Sequence, residues 1–160
     1  FIPETLPGRP GIKRKIKFIV IHETGNPSEG ADAKAHSDYL LNGGEGTTSW
    51  HYTVDDHEIY HHIPDSEVSW NAGDRHQEPG GNMNGISIEL CVNKDGDFEK
   101  TFDNGARLTA YLLKAYDLKM DAVKQHNDFN GKNCPQTIRE SGRWQAFLKL
   151  TESYLKQKNK

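Results

Sequence analysis

Phe18-Ile19-Val20-Ile21 is the longest strongly apolar stretch of the chain, and its last three residues are all β-branched. Such a run reads as a strand over Lys17–His22 buried on both faces of a sheet, ending at the breaker Thr24-Gly25-Asn26-Pro27. His22 then sits at the strand's carboxyl end. A strand covered on both sides needs helices, and the rest of the chain supplies them. Asp32 is placed to cap a helix reaching about Asn42, with Ala35, His36, Tyr39 and Leu40 on one face and Gly43-Gly44 as its stop. His51–Val54 and Glu58–Ile63 read as a hairpin around Asp55-Asp56-His57, and the Pro- and Gly-rich residues 64–85 as a long loop of the functional kind.

Ile86–Val92 alternates, with Ile86, Ile88, Leu90 and Val92 on one face and Ser87, Glu89 and Cys91 on the other, so Glu89 points away from the apolar layer. A helix is expected from about Asp103 to Tyr116, with Leu108, Tyr111, Leu112 and Ala115 as its stripe. A short strand follows over Ala122–His126. An amphipathic helix from Ser141 carries Trp144, Phe147, Leu148, Thr151, Tyr154 and Leu155, and it frays over Lys156–Lys160. Alternating strands and helices with one inserted hairpin predict an α/β fold, a mixed central sheet flanked by helices. Residues 1–160 fit one domain, with 1–15 as an extended N-terminal arm. The N-terminus, Phe1-Ile2-Pro3-Glu4, has neither an initiator Met nor a signal-peptide pattern, so a processed chain or an excised piece is expected.

Composition narrows the function classes. Twenty Lys and Arg against 23 Asp and Glu leave a net charge of −3, which removes the basic footprint of a nucleic-acid binder. No apolar run approaches the ~20 residues of a membrane-spanning helix. Cys91 and Cys134 are too few for a disulfide scaffold, and Cys91 reads as a small buried strand residue.

Three residues are candidate metal ligands: His22 and His126, each at a strand's carboxyl end, and Cys134. Imidazole and thiolate suit zinc, and three protein ligands leave the fourth position open, as a hydrolytic site requires. Cobalt and manganese are compatible with the same donors. Sites in open α/β sheets form at the carboxyl ends of strands. The Cys134-Pro135 pair also suggests a sulfur at a helix start, where the dipole favours thiolate. Spacing alone fits hydrogen-bonded structural histidines better than a metal site, because no compact ligand motif is present. The adjacent His61 and His62 point to opposite faces of a strand, so the hairpin histidines, His57 among them, are not read as a second metal site.

Five segments in register go further: Val20–Thr24, Thr48–Asp55, Trp70–Gly73, Asn84–Glu89 and His126 through Lys132-Asn133-Cys134-Pro135. Together they resemble the type-2 N-acetylmuramoyl-L-alanine amidases, the superfamily of phage endolysins, bacterial autolysins and animal peptidoglycan-recognition proteins, over about residues 12–155. The resemblance implies the fold of that superfamily, Zn²⁺ on His22, His126 and Cys134, and hydrolysis of the amide between N-acetylmuramic acid and L-alanine in bacterial peptidoglycan. It implies Glu89 as general base and Lys132 as the oxyanion's partner, with action at the cell wall. His36, Trp50, His51, Trp70 and Asn71 are the expected substrate contacts, with His51 read as part of the cleft wall or just behind it and His36 as lining the groove or packing with Tyr39 and Leu40; Trp50 and Trp70 offer rings for stacking, and Trp144 is expected in the core.

Two positions depart from the family pattern. Trp50 stands where some relatives have a site tyrosine, and Asn71 replaces the histidine of Trp-His-Ala-Gly. The alternatives are a non-catalytic peptidoglycan-recognition module and an amidase acting on soluble muropeptides. Such relatives often carry a separate wall-binding domain, and Lys156–Lys160 is where a linker to one would begin.

Overall fold

The computed structural model describes residues 1–157. Five strands form one sheet in the order β3-β2-β4-β1-β5: β1 (Phe18–Glu23), β2 (Tyr52–Val54), β3 (Ile59–His61), β4 (Gly85–Leu90) and β5 (Val123–Gln125). The three central strands and β5 run parallel, and β3 closes one edge antiparallel to β2. The sheet is therefore mixed, as expected.

Ile19 and Ile21 of β1, with Ile86, Ile88 and Leu90 of β4, face the long helices α3 (Phe98–Ala115) and α6 (Trp144–Lys156) and form the main core with Phe102, Leu112, Leu113 and Phe147. Trp144 packs beside this core, stacked on Phe147. The helix α3 comes unusually close to β4 at Gly105, where a Cβ would lie 2.6 Å from Leu90 Cδ2. On the opposite face, α1 (Ala33–Leu41) and the N-terminal segment cover the hairpin side, with Ile2, Leu40, Trp50 and Ile63 as a second cluster.

Several local expectations need correction. The arm of residues 1–15 is held against the domain: Arg9 makes a two-pronged bond to the buried Glu67 (3.0 and 2.9 Å), and Arg14 donates to the carbonyls of Asp65 and Gly85. In α1 the inward residues are Ala33, Ser37 and Leu40, while Ala35 and Tyr39 are exposed. The helix α3 starts five residues before the expected Asp103, because Asp97 caps it through the amides of Glu99 and Lys100. Tyr111 and Ala115, placed in its stripe, face out. The short helix α2 (Gly81–Asn84) lies in the segment read as loop, α4 (Asn127–Asn130) falls where no element was expected, and α5 (Gln136–Glu140) begins just after Pro135, where a helix start was expected. The expected fraying at Lys156–Lys160 falls partly on α6, which runs to Lys156, and otherwise on 158–160, outside the described residues.

Candidate metal centre

The sheet register builds the site. His22 of β1 pairs with Glu89 of β4, and Glu89 in turn with Thr53 of β2, so all three share the face away from α3 and α6. His126 follows β5 directly, its amide donating to the Ile21 carbonyl at 3.2 Å, which brings it beside His22. Cys134 returns through a tight turn: its amide donates to the Lys132 carbonyl, and its own carbonyl accepts from Asn127.

The Nδ1 atoms of His22 and His126 stand 3.1 Å apart, and with Cys134 Sγ the three ligand atoms lie within 4.8 Å of one another. All three residues are buried. Burial holds both imidazoles below the usual histidine range, well below for His22, with Lys132 and, for His22, His126 adding to it. Both rings are neutral at pH 7, the form that ligates a metal. Two neutral rings that face each other through Nδ1 either share one proton or direct two lone pairs at the same point. Two nitrogens on one tetrahedral zinc, each about 2.0–2.1 Å from it, stand about 3.3 Å apart, close to the spacing here. His22 Nε2, His126 Nε2 and Glu89 Oε2 are buried without a hydrogen-bond partner among the described residues. The donor set and its spacing fit zinc.

Burial, reinforced by Glu89, pushes the Cys134 thiol up to about 12. The helix-dipole expectation is therefore overturned. Pro135 caps α5 rather than opening it, α5 has five residues, and desolvation outweighs its small dipole. Thiolate at neutral pH requires a cation at the sulfur.

Glu89 lies with Oε1 3.8 Å from His22 Nδ1. Burial pushes its carboxyl up to about 8, Lys132 pulling it down and Glu23 pushing with burial. The Lys132 side chain is exposed at the rim. A cavity of about 190 Å³ joins the three ligands, Glu89 and Lys132 to His36, Thr48, Trp50 and Asn71. A second recess of about 500 Å³ shares Thr48, Asn71 and Lys132 with it and continues along Trp70, Gly73, Arg75 and Asn82.

The expected substrate contacts separate. His36, Asn71 and Trp70 line this groove. His51 does not: it is 0% exposed, with Nε2 against the Glu67 carbonyl at 2.7 Å and Nδ1 against Ser87, so it braces β2 on β4 behind the wall. Trp50 borders the cavity but is 7% exposed, packed in the second cluster and donating Nε1–H to Thr53 Oγ1, which leaves too little ring for stacking. Asn71 is tied in by its side-chain amide, near the Ser49 carbonyl and the hydroxyls of Ser69 and Ser87, at 2.8–2.9 Å. Asp55, Asp56 and His57 also approach one another, but the Asp55 oxygens are taken by the amides of Ala33, His57 and Glu58. Cys91 and Cys134 are both free. Sequence reasoning missed Glu23, whose carboxylate accepts from the amides of Thr137 and Ile138; only its place beside His22 hinted at a role.

The N-acetylmuramoyl-L-alanine amidase family model matches residues 12–137. Among curated relatives, the Bacillus subtilis N-acetylmuramoyl-L-alanine amidase CwlH is 40% identical over 148 residues, covering 92% of this chain and 58% of the relative. The amidase XlyA of the same organism is 42% identical over 147 residues, covering 92% and 48%. The chain thus spans about half the length of the curated relatives it matches. The solved catalytic domain of XlyA superposes with a TM-score of 0.88 at 40% identity, over 94% of this chain and 95% of that one. The structure of PlyL gives 0.85 at 28% identity, covering 96% and 94%.

Proposed function

Because the chain belongs to the N-acetylmuramoyl-L-alanine amidase family, we propose that it hydrolyses the amide joining N-acetylmuramic acid to L-alanine in peptidoglycan, using zinc held by His22, His126 and Cys134. The convergence of two neutral imidazoles and a buried thiol, with Glu89 beside them and Lys132 at the rim, carries this reading. Zinc bound there supplies a Lewis acid that polarises the scissile carbonyl and acidifies the attacking water.

The chain's own groups supply the rest. Glu89, on the same sheet face as His22, takes the proton of the attacking water on a carboxylate oxygen and returns it to the leaving alanine nitrogen. Burial holds this carboxyl at about 8, so Lys132, which lowers it, and a cation at the ligands are what would leave it ionised to accept that proton at neutral pH. Lys132 projects from the turn before Cys134, where its ammonium neutralises charge gathering on the former carbonyl oxygen. The recess past Trp70 and Asn71 gives an extended muropeptide room on one side of the reacting bond. The place of action is the bacterial cell wall.

Digestion of purified peptidoglycan by the zinc-loaded protein tests this, with mass spectrometry and amine labelling of the new ends. New L-alanine amino groups on released stem peptides, lost on chelation and in Cys134→Ser together with the metal, are expected. Binding without new ends identifies a recognition module instead. Cleavage confined to soluble fragments identifies a muropeptide amidase.

A further inference from the structure

Glu23 is the last residue of β1, directly after His22, yet it also reaches the far end of the chain. Its backbone N–H donates to Cys134 Sγ at 3.4 Å. Its carboxylate accepts from the amides of Thr137 (2.8 Å) and Ile138 (3.0 Å) in the first turn of α5, the helix that follows Cys134-Pro135. That helix has no side-chain cap of its own, because Pro135 occupies its cap position. Glu23 supplies the missing acceptor from more than a hundred residues away, and the side chain is buried in doing so.

A helix cap is ordinarily local, from a Ser, Thr, Asp or Asn at the cap itself. Here the cap comes from the neighbour of one candidate ligand and fixes the segment carrying another, while the same residue's amide meets that ligand's sulfur. The arrangement also has a cost. A carboxylate here works against ionising Glu89, which a cap placed elsewhere would avoid. We infer that Glu23 is a positioning residue of the metal centre, clamping the Cys134 segment to the His22 strand so that sulfur and imidazoles meet at one point. Groups behind metal ligands typically change affinity 10–100-fold when removed. This inference rests on the zinc reading above.

The test compares the full chain with Glu23→Gln, Glu23→Ala and, as a control, Asp97→Ala, which removes the cap of α3 far from the ligands. Zinc affinity is measured by competition with a chromophoric chelator, the thiolate-to-metal absorption after loading with cobalt, and the stability of the metal-free proteins by chemical denaturation. Glu23→Gln is expected to bind zinc roughly 10–100-fold more weakly, with a shifted and weakened cobalt–thiolate band. Asp97→Ala is expected to lose stability but keep the affinity and spectrum of the parent. Glu23→Gln matches the parent in size and keeps one acceptor oxygen, so it carries the test if Glu23→Ala does not fold. Parental zinc affinity and cobalt spectrum in Glu23→Gln overturn the inference and leave Glu23 a helix cap. A parent that binds no zinc overturns the reading beneath it.

Discussion

Glu89 shows how much a residue's chemistry depends on burial that its neighbours in sequence do not reveal. Its alternation in β4 correctly turns it from the Ile86, Ile88 and Leu90 layer, but that opposite face is covered as well, and the residue is only 9% exposed. On the proposed function, that burial makes Glu89 the proton carrier beside the candidate metal centre. Glu89→Gln should therefore retain zinc at the parental stoichiometry and lose on the order of 10²-fold or more in turnover. Metal analysis alongside peptidoglycan release checks this, and parental turnover would assign the proton transfer to another group. His51 and Trp50 make the complementary point. Their residue types suggested contacts with substrate, but hydrogen bonds and packing consume both. Nothing in a linear pattern separates a histidine that faces a groove from one that braces the strand behind it.

Among the elements, strands and long helices were legible because their apolar periodicity is local. The strand β1 and the cap of α1 follow from such short-range rules, whereas the expectation of a start at Asp103 misses the Asp97 cap of α3. The short helix α4 was not legible and α5 only as a start at Cys134-Pro135, since four- and five-residue helices depend on tertiary bonds such as those from Glu23 rather than on propensity. The approach of α3 to β4 gives a prediction at this scale. Gly105→Ala gains up to about 1 kcal/mol in helix propensity, but its methyl must displace the fully buried Leu90. Overpacking of this kind costs about 1–3 kcal/mol, so a net loss of roughly 1 kcal/mol is expected in urea unfolding with amidase activity kept. A more stable variant would show that Leu90 has room to move.

At the scale of the molecule, the hairpin side of the sheet hides ionisable groups that tie stability to pH. His62 is buried beside Thr53 Oγ1 (2.7 Å), and burial, aided by His61, holds its pKa at about 3 against an ordinary 6.5. The folded state thus binds fewer protons than the unfolded chain below pH 6.5. The stability that neutral His62 allows is present above that pH and is lost as the pH falls toward 3. Between pH 7 and 5 the loss amounts to up to about 2 kcal/mol for this one group. Urea unfolding of the metal-free protein at both pH values, with His62→Gln beside it, checks the sign. The variant should show a smaller drop by that amount, and equal drops would mean that His62 takes up its proton in the folded state. No described helix is long and apolar enough to cross a membrane.

The sequence by itself determined the order of the main elements, the mixed sheet, the family and the identity of His22, His126 and Cys134 as candidate ligands, because these rest on local periodicity and on short motifs in register. The same motifs named Glu89 and Lys132; only the tertiary structure decided how those groups meet the three, that Glu23 joins them and that His51 lies behind the wall. His22 stands beside Glu89 through a parallel strand register across 67 positions, and Glu23 grips the amides after Cys134 from 114 and 115 positions away. Parallel pairing and cross-chain caps join residues whose separation along the chain carries no periodic signal, so they become visible only once the sheet has closed.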